Sequence, residues 1–287
     1  MKESFKIICF CILAACAYGI AHDMLTTYVC IEYFLPPVHP RIIPTTHPLL
    51  LALIWGIVAT WWVGLFLGIP LAMVCRVGSK PKLSAGDIVH PVLFMLAVLY
   101  VAAMLFGVVG YTMGRMELWL IPPYFHTVIA PERLARFQFN GFAHEAAYCL
   151  GTIGGIVLMI RCRRKRRAAS PKRCVLRWVE LFNQGDAVAL AELYHDKAVN
   201  HQVANEPVEG KANIRSMFER EFAAAKMVCI VENLFEDGEW AILEWRDPLG
   251  LRGCGFFRVT GGKIIFQRGY WDKLSFLRQH GLPMPTE

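Results

Sequence analysis

Arg161-Cys162-Arg163-Arg164-Lys165-Arg166-Arg167 is the stretch that divides this chain, and six of its seven residues are cationic. Upstream of it, long apolar runs dominate. Downstream, apolar and polar residues alternate as they do in a soluble fold. The run directly abuts an apolar segment of helix length. It therefore marks a boundary between a membrane half and a soluble half, not an ordinary solvated face.

Composition agrees with that division. Of 287 residues, 55% are hydrophobic and only 18% charged, an unusual balance for a wholly soluble chain. Residues 1–160 carry nine basic and seven acidic side chains, residues 161–173 eight basic and none acidic, and residues 174–287 thirteen basic and sixteen acidic. The net charge of +7 thus belongs to the seam. A juxtamembrane cluster of this kind is drawn to anionic lipid headgroups by about 1 kcal/mol per basic residue. No aromatic residues interleave with it, so no nucleic-acid partner is expected. The ten cysteines include no Cys-x-x-Cys pair, and neither a disulfide framework nor a zinc ribbon is expected from their spacing.

Working toward the N-terminus, the pattern predicts an all-α transmembrane four-helix bundle over residues 1–160. Its spans fall at about 5–22, 49–75, 91–114 and 141–160, and a basic juxtamembrane linker follows at 161–173. The first apolar run is short. It reads as an uncleaved span, as a signal peptide cut near Ala15-Cys16-Ala17, or as a lipobox at Leu13-Ala14-Ala15-Cys16. The uncleaved span is the reading adopted, because the chain is multi-pass in any case. Arg76, Lys80 and Lys82 follow the second span and six cations follow the fourth. This bias places residues 76–90 and 161–287 in the cytoplasm of a multi-pass cell-membrane protein whose first partner is the lipid bilayer. Gly64/Gly68, Gly110/Gly114 and Gly151/Gly155 are small-xxx-small pairs that let helices approach closely. Trp61 and Trp62, in mid-span, are expected inside the bundle. His22, Asp23 and His144 fall at span ends on the outer side, where imidazole and carboxylate together could hold a metal or relay protons. Without tight ligand spacing, polar anchoring is the reading taken, and no metal is committed. This half is also similar to uncharacterised bacterial four-span proteins with His-Asp at the end of the first span and Trp-Trp-x-Gly in the second. That resemblance implies no activity.

In the soluble half, helical spacing covers 174–184, 187–194 and 212–225, and residues 199–203 are extended. Strand-like runs cover 227–234, 240–246, 253–260 and 263–272, and a short helix covers 274–279. Helices followed by a meander give an α+β class. Three stretches carry a resemblance. They are Trp178-Val179-Glu180-Leu181-Phe182-Asn183-Gln184-Gly185-Asp186, then Gly210-Lys211-Ala212-Asn213-Ile214, then Asp272-x-Leu-x-Phe-Leu-Arg-Gln-His-Gly. Residues 174–287 are similar to the SnoaL-like polyketide cyclase branch of the nuclear transport factor 2-like superfamily. The resemblance implies a cone, in which a curved antiparallel sheet wraps around helices and leaves an apolar pocket. It also implies pairing of two copies through the outer face of the sheet, a homodimer.

By the same resemblance, Asp272 matches an acid–base position, with His201 and Tyr194 near the pocket mouth and Glu244 as a second carboxylate. Trp178, Phe182, Phe218, Trp245, Phe257 and Trp271 could line the cavity. Asp272 also directly precedes a helical run and reads as an N-cap. Glu244, Arg246, Arg258 and Arg268 read as ion pairs on the outer strand face. Two functions follow, neither with a cofactor. One is a cytoplasmic domain that binds a small hydrophobic ligand as a sensor or carrier. The alternative is a membrane-tethered acid–base enzyme (cyclase, dehydratase or isomerase) acting on a lipid-soluble substrate.

Overall fold

Long apolar segments pair their backbone groups internally by becoming helices, and the upstream part of the chain does so. The computed structural model describes residues 2–284. One unit comprises residues up to Arg76 together with Leu83–Arg163. Its helices are α1 (Lys2–Val29), α2 (Pro48–Val58), α3 (Trp61–Arg76), α4 (Gly86–Arg115), α5 (Phe125–Val128) and most of α6 (Pro131–Ala168). Among the described residues, four stretches are long and apolar enough to cross a membrane. They are α1, α2 with α3, α4, and the stretch that begins at Pro131.

Three features differ from expectation. First, α1 continues past residue 22 to Val29, so His22 and Asp23 lie within a helix and not at its end. The hydroxyls of Thr26 and Thr27 fold back to donate to the carbonyls of His22 (3.1 Å) and Asp23 (2.7 Å), which keeps this polar turn satisfied while buried. Second, the 49–75 segment breaks at residues 59–60. There the Thr60 hydroxyl donates to the Gly56 carbonyl at 2.5 Å, in competition with the backbone ladder. Third, Trp61 and Trp62 are 47% and 48% exposed. The face that α3 turns to α1 is built from Gly64 and Gly68, where a Cβ would come within 2.6 Å of the Cys11 carbonyl and 2.9 Å of its Cβ. The indoles are left outside, with Trp62 stacked on Tyr148.

The basic run is also more ordered than a linker, since α6 passes through it without a break as far as Ala168. Lys and Arg are good helix formers. Arg166 is buried, and its guanidinium donates to the carbonyls of Pro81 (2.8 Å), Val77 (2.9 Å) and Lys80 (3.0 Å).

The second unit comprises Val77–Lys82 and the chain from Arg164 onward. It contains α7 (Pro171–Gln184), α8 (Ala187–Ala191), β1 (Tyr194–Gln202), β2 (Val208–Glu209) and α9 (Lys211–Ala224). After these come β3 (Ile230–Asp237), β4 (Trp240–Arg246), β5 (Arg252–Thr260), β6 (Lys263–Trp271) and α10 (Lys273–Gln279). The strands form one sheet in the order β2-β1-β6-β5-β4-β3. It is mixed, not purely antiparallel as expected, because β1 runs parallel to β6. The connection through α9 and the β3–β5 meander returns β6 beside β1 in the same direction.

The Asn-x-Gly-Asp sequence at 183–186 explains the turn after α7. Gly185 takes the left-handed conformation (φ +70°) that ends the helix, and Asp186 caps α8 by accepting from Ala189 N at 2.8 Å. Asn183 donates to the Cys229 carbonyl (2.9 Å) and accepts from the Cys229 amide (2.7 Å), as a strand neighbour would. The second expected helix stops at Ala191, and Tyr194 instead opens β1.

Tyr194 is the centre of the core beneath the sheet. Its hydroxyl accepts from Trp178 Nε1 at 2.8 Å and donates to Gln267 Oε1, joining α7 to β6. Around it pack Val175, Leu190, Ile214, Phe218, Leu243 and Phe257. Leaving a buried donor or acceptor without its partner costs about 1–3 kcal/mol. Tyr194→Phe is therefore expected to destabilise this unit by about that amount with little change in shape. Denaturation monitored by loss of hydrogen-exchange protection in β6 measures it, and an unchanged stability would show that the hydroxyl carries no net energy.

Candidate functional site

Strand alternation and two glycines shape a cavity between the sheet, α7, α9 and α10. On β4, Leu243 and Trp245 face inward and Glu244 outward. On β5 and β6, Gly255, Phe257, Gln267, Gly269 and Trp271 face inward. A Cβ on Gly253 would collide with the Trp245 ring, and one on Gly269 with the Gln202 side chain. The missing side chains let Trp245 and Gln202 lie flat on the sheet. The cavity left open has a volume of about 200 Å³.

All six aromatic residues expected to line the pocket do so: Trp178, Phe182, Phe218, Trp245, Phe257 and Trp271. Trp178 stacks on Phe182 with centroids 4.8 Å apart, and Phe257 meets Trp178 edge-on at 5.3 Å. A hydrogen-bonded chain runs along the floor. Asn200 Nδ2 donates to Gln267 Oε1 (3.3 Å), Gln202 Nε2 to Asn200 Oδ1 (2.8 Å), and Trp271 Nε1 to Gln202 Oε1 (3.1 Å). Together with the Trp178–Tyr194–Gln267 contacts it fixes two indoles of the wall and spends most of its polar capacity within the protein.

The residues expected to act as acid and base are placed elsewhere. Asp272 is exposed and caps α10. Its carboxylate accepts from the Ser275 hydroxyl (2.6 Å) and from the Leu274 amide (3.0 Å). The Ser275 hydrogen bonds hold its carboxyl below the usual range, the opposite of a pocket acid. Tyr194 lies under the floor and not at the mouth. It is fully buried, and burial pushes its hydroxyl well above the ordinary phenol range. His201 is half-buried and does not line the cavity, because its strand neighbours Asn200 and Gln202 take the inward positions. Glu244 is exposed on the outer face, accepting from Asn233 Nδ2 at 2.7 Å. On the same face Arg246 pairs with Glu232 and Arg258 with Glu239, both within the chain. Arg268 lies over the Phe266 ring.

Besides the floor amides, two sets of titratable side chains that line the cavity were not anticipated. Glu221, on α9, has no hydrogen bond or ion pair through its carboxylate among the described residues, and burial pushes its carboxyl up to about 7. In sequence it stands in a Glu-Arg-Glu run at 219–221. Asp247 and His280 form the second group, with Asp247 Oδ2 3.3 Å from His280 Nε2. Asp247 Oδ1 also accepts from the amides of Leu249 (2.9 Å) and Leu251 (2.8 Å), so the β4–β5 turn locks the carboxylate that orients the imidazole. His280 stands in the last stretch quoted for the resemblance, but its partner is 33 residues away. In the helical unit, the structure also brings together His22, Asp23 and His144, with one ligand-capable atom of each within 4.8 Å of the others.

A family model described as SnoaL-like domain matches residues 175–267. No curated protein matches the chain. Three solved structures illustrate what it is similar to. One is an NTF2-like protein of unknown function from Cytophaga hutchinsonii, at 17% identity over 37% of this chain and 94% of that one, with a TM-score of 0.32. Another is a hypothetical protein with a ketosteroid isomerase-like fold from Catenulispora acidiphila, in complex with trimethylamine. It is 18% identical over 39% of this chain and 97% of its own, with a TM-score of 0.36. The third is an LEH-like epoxide hydrolase from M. tuberculosis, 20% identical over 38% of this chain and 86% of its own, with a TM-score of 0.34. Residues 175–267 of this chain are a SnoaL-like domain.

Proposed function

We propose that this is a multi-pass membrane protein whose SnoaL-like domain, on the cytoplasmic side, binds a small and largely apolar molecule as a sensor or carrier. The carrying observation is the cavity itself: an open space of about 200 Å³ walled by seven aromatic side chains, the six named above and Phe276, in a lining that is mostly apolar. Such a site favours apolar ligands and uses its few polar atoms to orient them. The four apolar stretches and the cations at 76–82 and 161–167 support the membrane placement.

Reporter fusions after residues 90 and 175 are expected to read cytoplasmic and one near residue 40 external. A C-terminal reporter that reads external would overturn the orientation. For the ligand, mass spectrometry of the full chain purified in mild detergent is expected to find a small apolar molecule that is released on denaturation. Trp178, Trp245 and Trp271 line the cavity, so returning that molecule should quench tryptophan emission. Quenching unaltered by Trp271→Phe together with Trp245→Phe would place binding elsewhere.

A second reading, acid–base catalysis, is favoured by one observation. A carboxyl that titrates near neutral pH and an imidazole oriented by a carboxylate line the same cavity. Glu221 and His280 would be its proton-transfer pair, with Asp247 positioning the histidine. The folded Glu221 carboxyl keeps its proton up to about 7, whereas an exposed one gives it up near 4.5. The unfolded chain therefore binds fewer protons between those values, and stability falls as pH rises through that window before levelling off. Glu221→Gln removes the slope. It should match wild type below the window and become the more stable of the two above it, read as hydrogen-exchange protection in β5 and β6. A difference that is flat with pH would remove Glu221 as a neutral-range acid.

A further inference from the structure

Three side chains from two helices meet inside the helical unit. His22 and Asp23 are buried on α1, and His144 on α6 is 16% exposed at its side chain. His144 Nδ1 lies 2.8 Å from the carbonyl oxygen of Asn140, one turn earlier. A carbonyl only accepts, so Nδ1 carries the proton. In the neutral ring Nε2 then presents a lone pair. That lone pair meets Asp23 Oδ1 at 3.2 Å. Two acceptors at this distance repel unless positive charge stands between them or on one of them. His22 adds an independent requirement. It is 3% exposed, and neither of its ring nitrogens has a hydrogen-bond partner among the described residues. Its ring lies edge-on to that of His144, with centroids 4.6 Å apart. A proton shared by Asp23 and His144 reconciles those two and leaves His22 with nothing. A cation reconciles all three.

We propose that His22, Asp23 and His144 form a binding site for one divalent transition-metal ion, and that zinc is the ion its donor set fits. Two imidazoles and one carboxylate are donors of intermediate softness, suited to zinc and not to magnesium or calcium, which prefer all-oxygen shells. The His144 Nδ1–H contact with the Asn140 carbonyl is the outer-shell hydrogen bond that fixes the tautomer and aims Nε2 at the metal. Three protein ligands leave a coordination position open. The same three residues line a cavity of about 190 Å³. The buried Tyr18 hydroxyl, also on that wall, has no partner among the described residues either. A water or a small oxygen ligand on the metal has both room and a hydrogen-bonding neighbour there. The ligands stand at 22, 23 and 144, so the site exists only once α1 and α6 pack together.

The test uses the full-length, tag-free chain in detergent, stripped with a chelator and titrated with Zn²⁺ and separately with Co²⁺. One equivalent per chain is expected to bind with a dissociation constant of micromolar order or tighter, and Co²⁺ should give the visible bands of a low-coordinate nitrogen–oxygen site. His22→Gln, Asp23→Asn and His144→Ala should each weaken binding by about a hundredfold or more. Should these variants fail to fold, wild type alone decides: pulsed electron paramagnetic resonance of the chain loaded with one equivalent of Cu²⁺ should count two coordinated imidazoles. Wild type that binds neither Zn²⁺ nor Co²⁺ would overturn the proposal. So would folded variants that bind as tightly as wild type, or a Cu²⁺ spectrum with fewer than two imidazoles.

Discussion

The hydroxyl of Tyr194 is the constraint on which the SnoaL-like domain depends. It lies where helix and sheet cross, with the Trp178 indole on one side and the Gln267 amide on the other. Burial keeps it protonated, so it can accept from one partner and donate to the other at once. In a low-dielectric core an unmade hydrogen bond is expensive and a completed chain is rigid. The chain continues through Asn200 and Gln202 to Trp271, so two indoles of the cavity wall are held by hydrogen bonds in addition to packing. That rigidity helps a cavity persist where aromatic side chains would otherwise collapse together and fill it.

In the helical unit, close approach sets the geometry and polar side chains then lock it. A Cβ on Gly19 would collide with the Gly56 carbonyl, and one on Gly110 would meet the Phe142 ring at 2.7 Å and the Gln138 carbonyl at 2.9 Å. Contacts this close bring backbone carbonyls within reach of side-chain donors. Gln138 Nε2 donates to Gly110 O (3.0 Å) and Leu118 O (3.1 Å), while its Oε1 accepts from Leu120 N (2.9 Å). Asn140 Nδ2 reaches the carbonyls of Thr26 (2.9 Å) and Cys30 (3.0 Å) at the end of α1. The turn that aims His144 is thus tied to α1 by its own Asn140.

The sequence exposed what depends on local pattern and concealed what depends on distant contacts. Helical and strand periodicity located every element of the SnoaL-like domain except β2, a strand of two residues. The six wall aromatics were legible because each sits at the inward phase of its own helix or strand. The parallel β1–β6 pairing was not legible, since no local signal distinguishes a returning parallel strand from another meander strand. Glu221 was missed because it sits in a charged Glu-Arg-Glu run. Phase alone could have suggested it: it lies four residues after Met217 and three after Phe218, both buried on α9. His22, Asp23 and His144 were legible as span-end residues on one side that could together hold a metal, but their contact was not, because Asp23 and His144 are 121 positions apart in sequence.

Asp272 and Glu221 show why residue type at a motif position is a poor guide to chemistry. Asp272 is exposed and accepts hydrogen bonds from the turn it caps, so those hydrogen bonds favour its anion. Glu221 lines an aromatic cavity with no partner for its carboxylate among the described residues, so burial favours the neutral acid. The first is fixed in one state and serves the fold. The second sits near the midpoint of two states at neutral pH, and what enters the cavity would bias it. A neutral, apolar ligand that displaces water would strengthen the case for the protonated form, which could donate a hydrogen bond to a ligand oxygen. A cationic ligand would pull the proton off and form an ion pair. The charge of whatever occupies this cavity is therefore coupled to the protonation of one side chain, and the coupling runs equally in both directions.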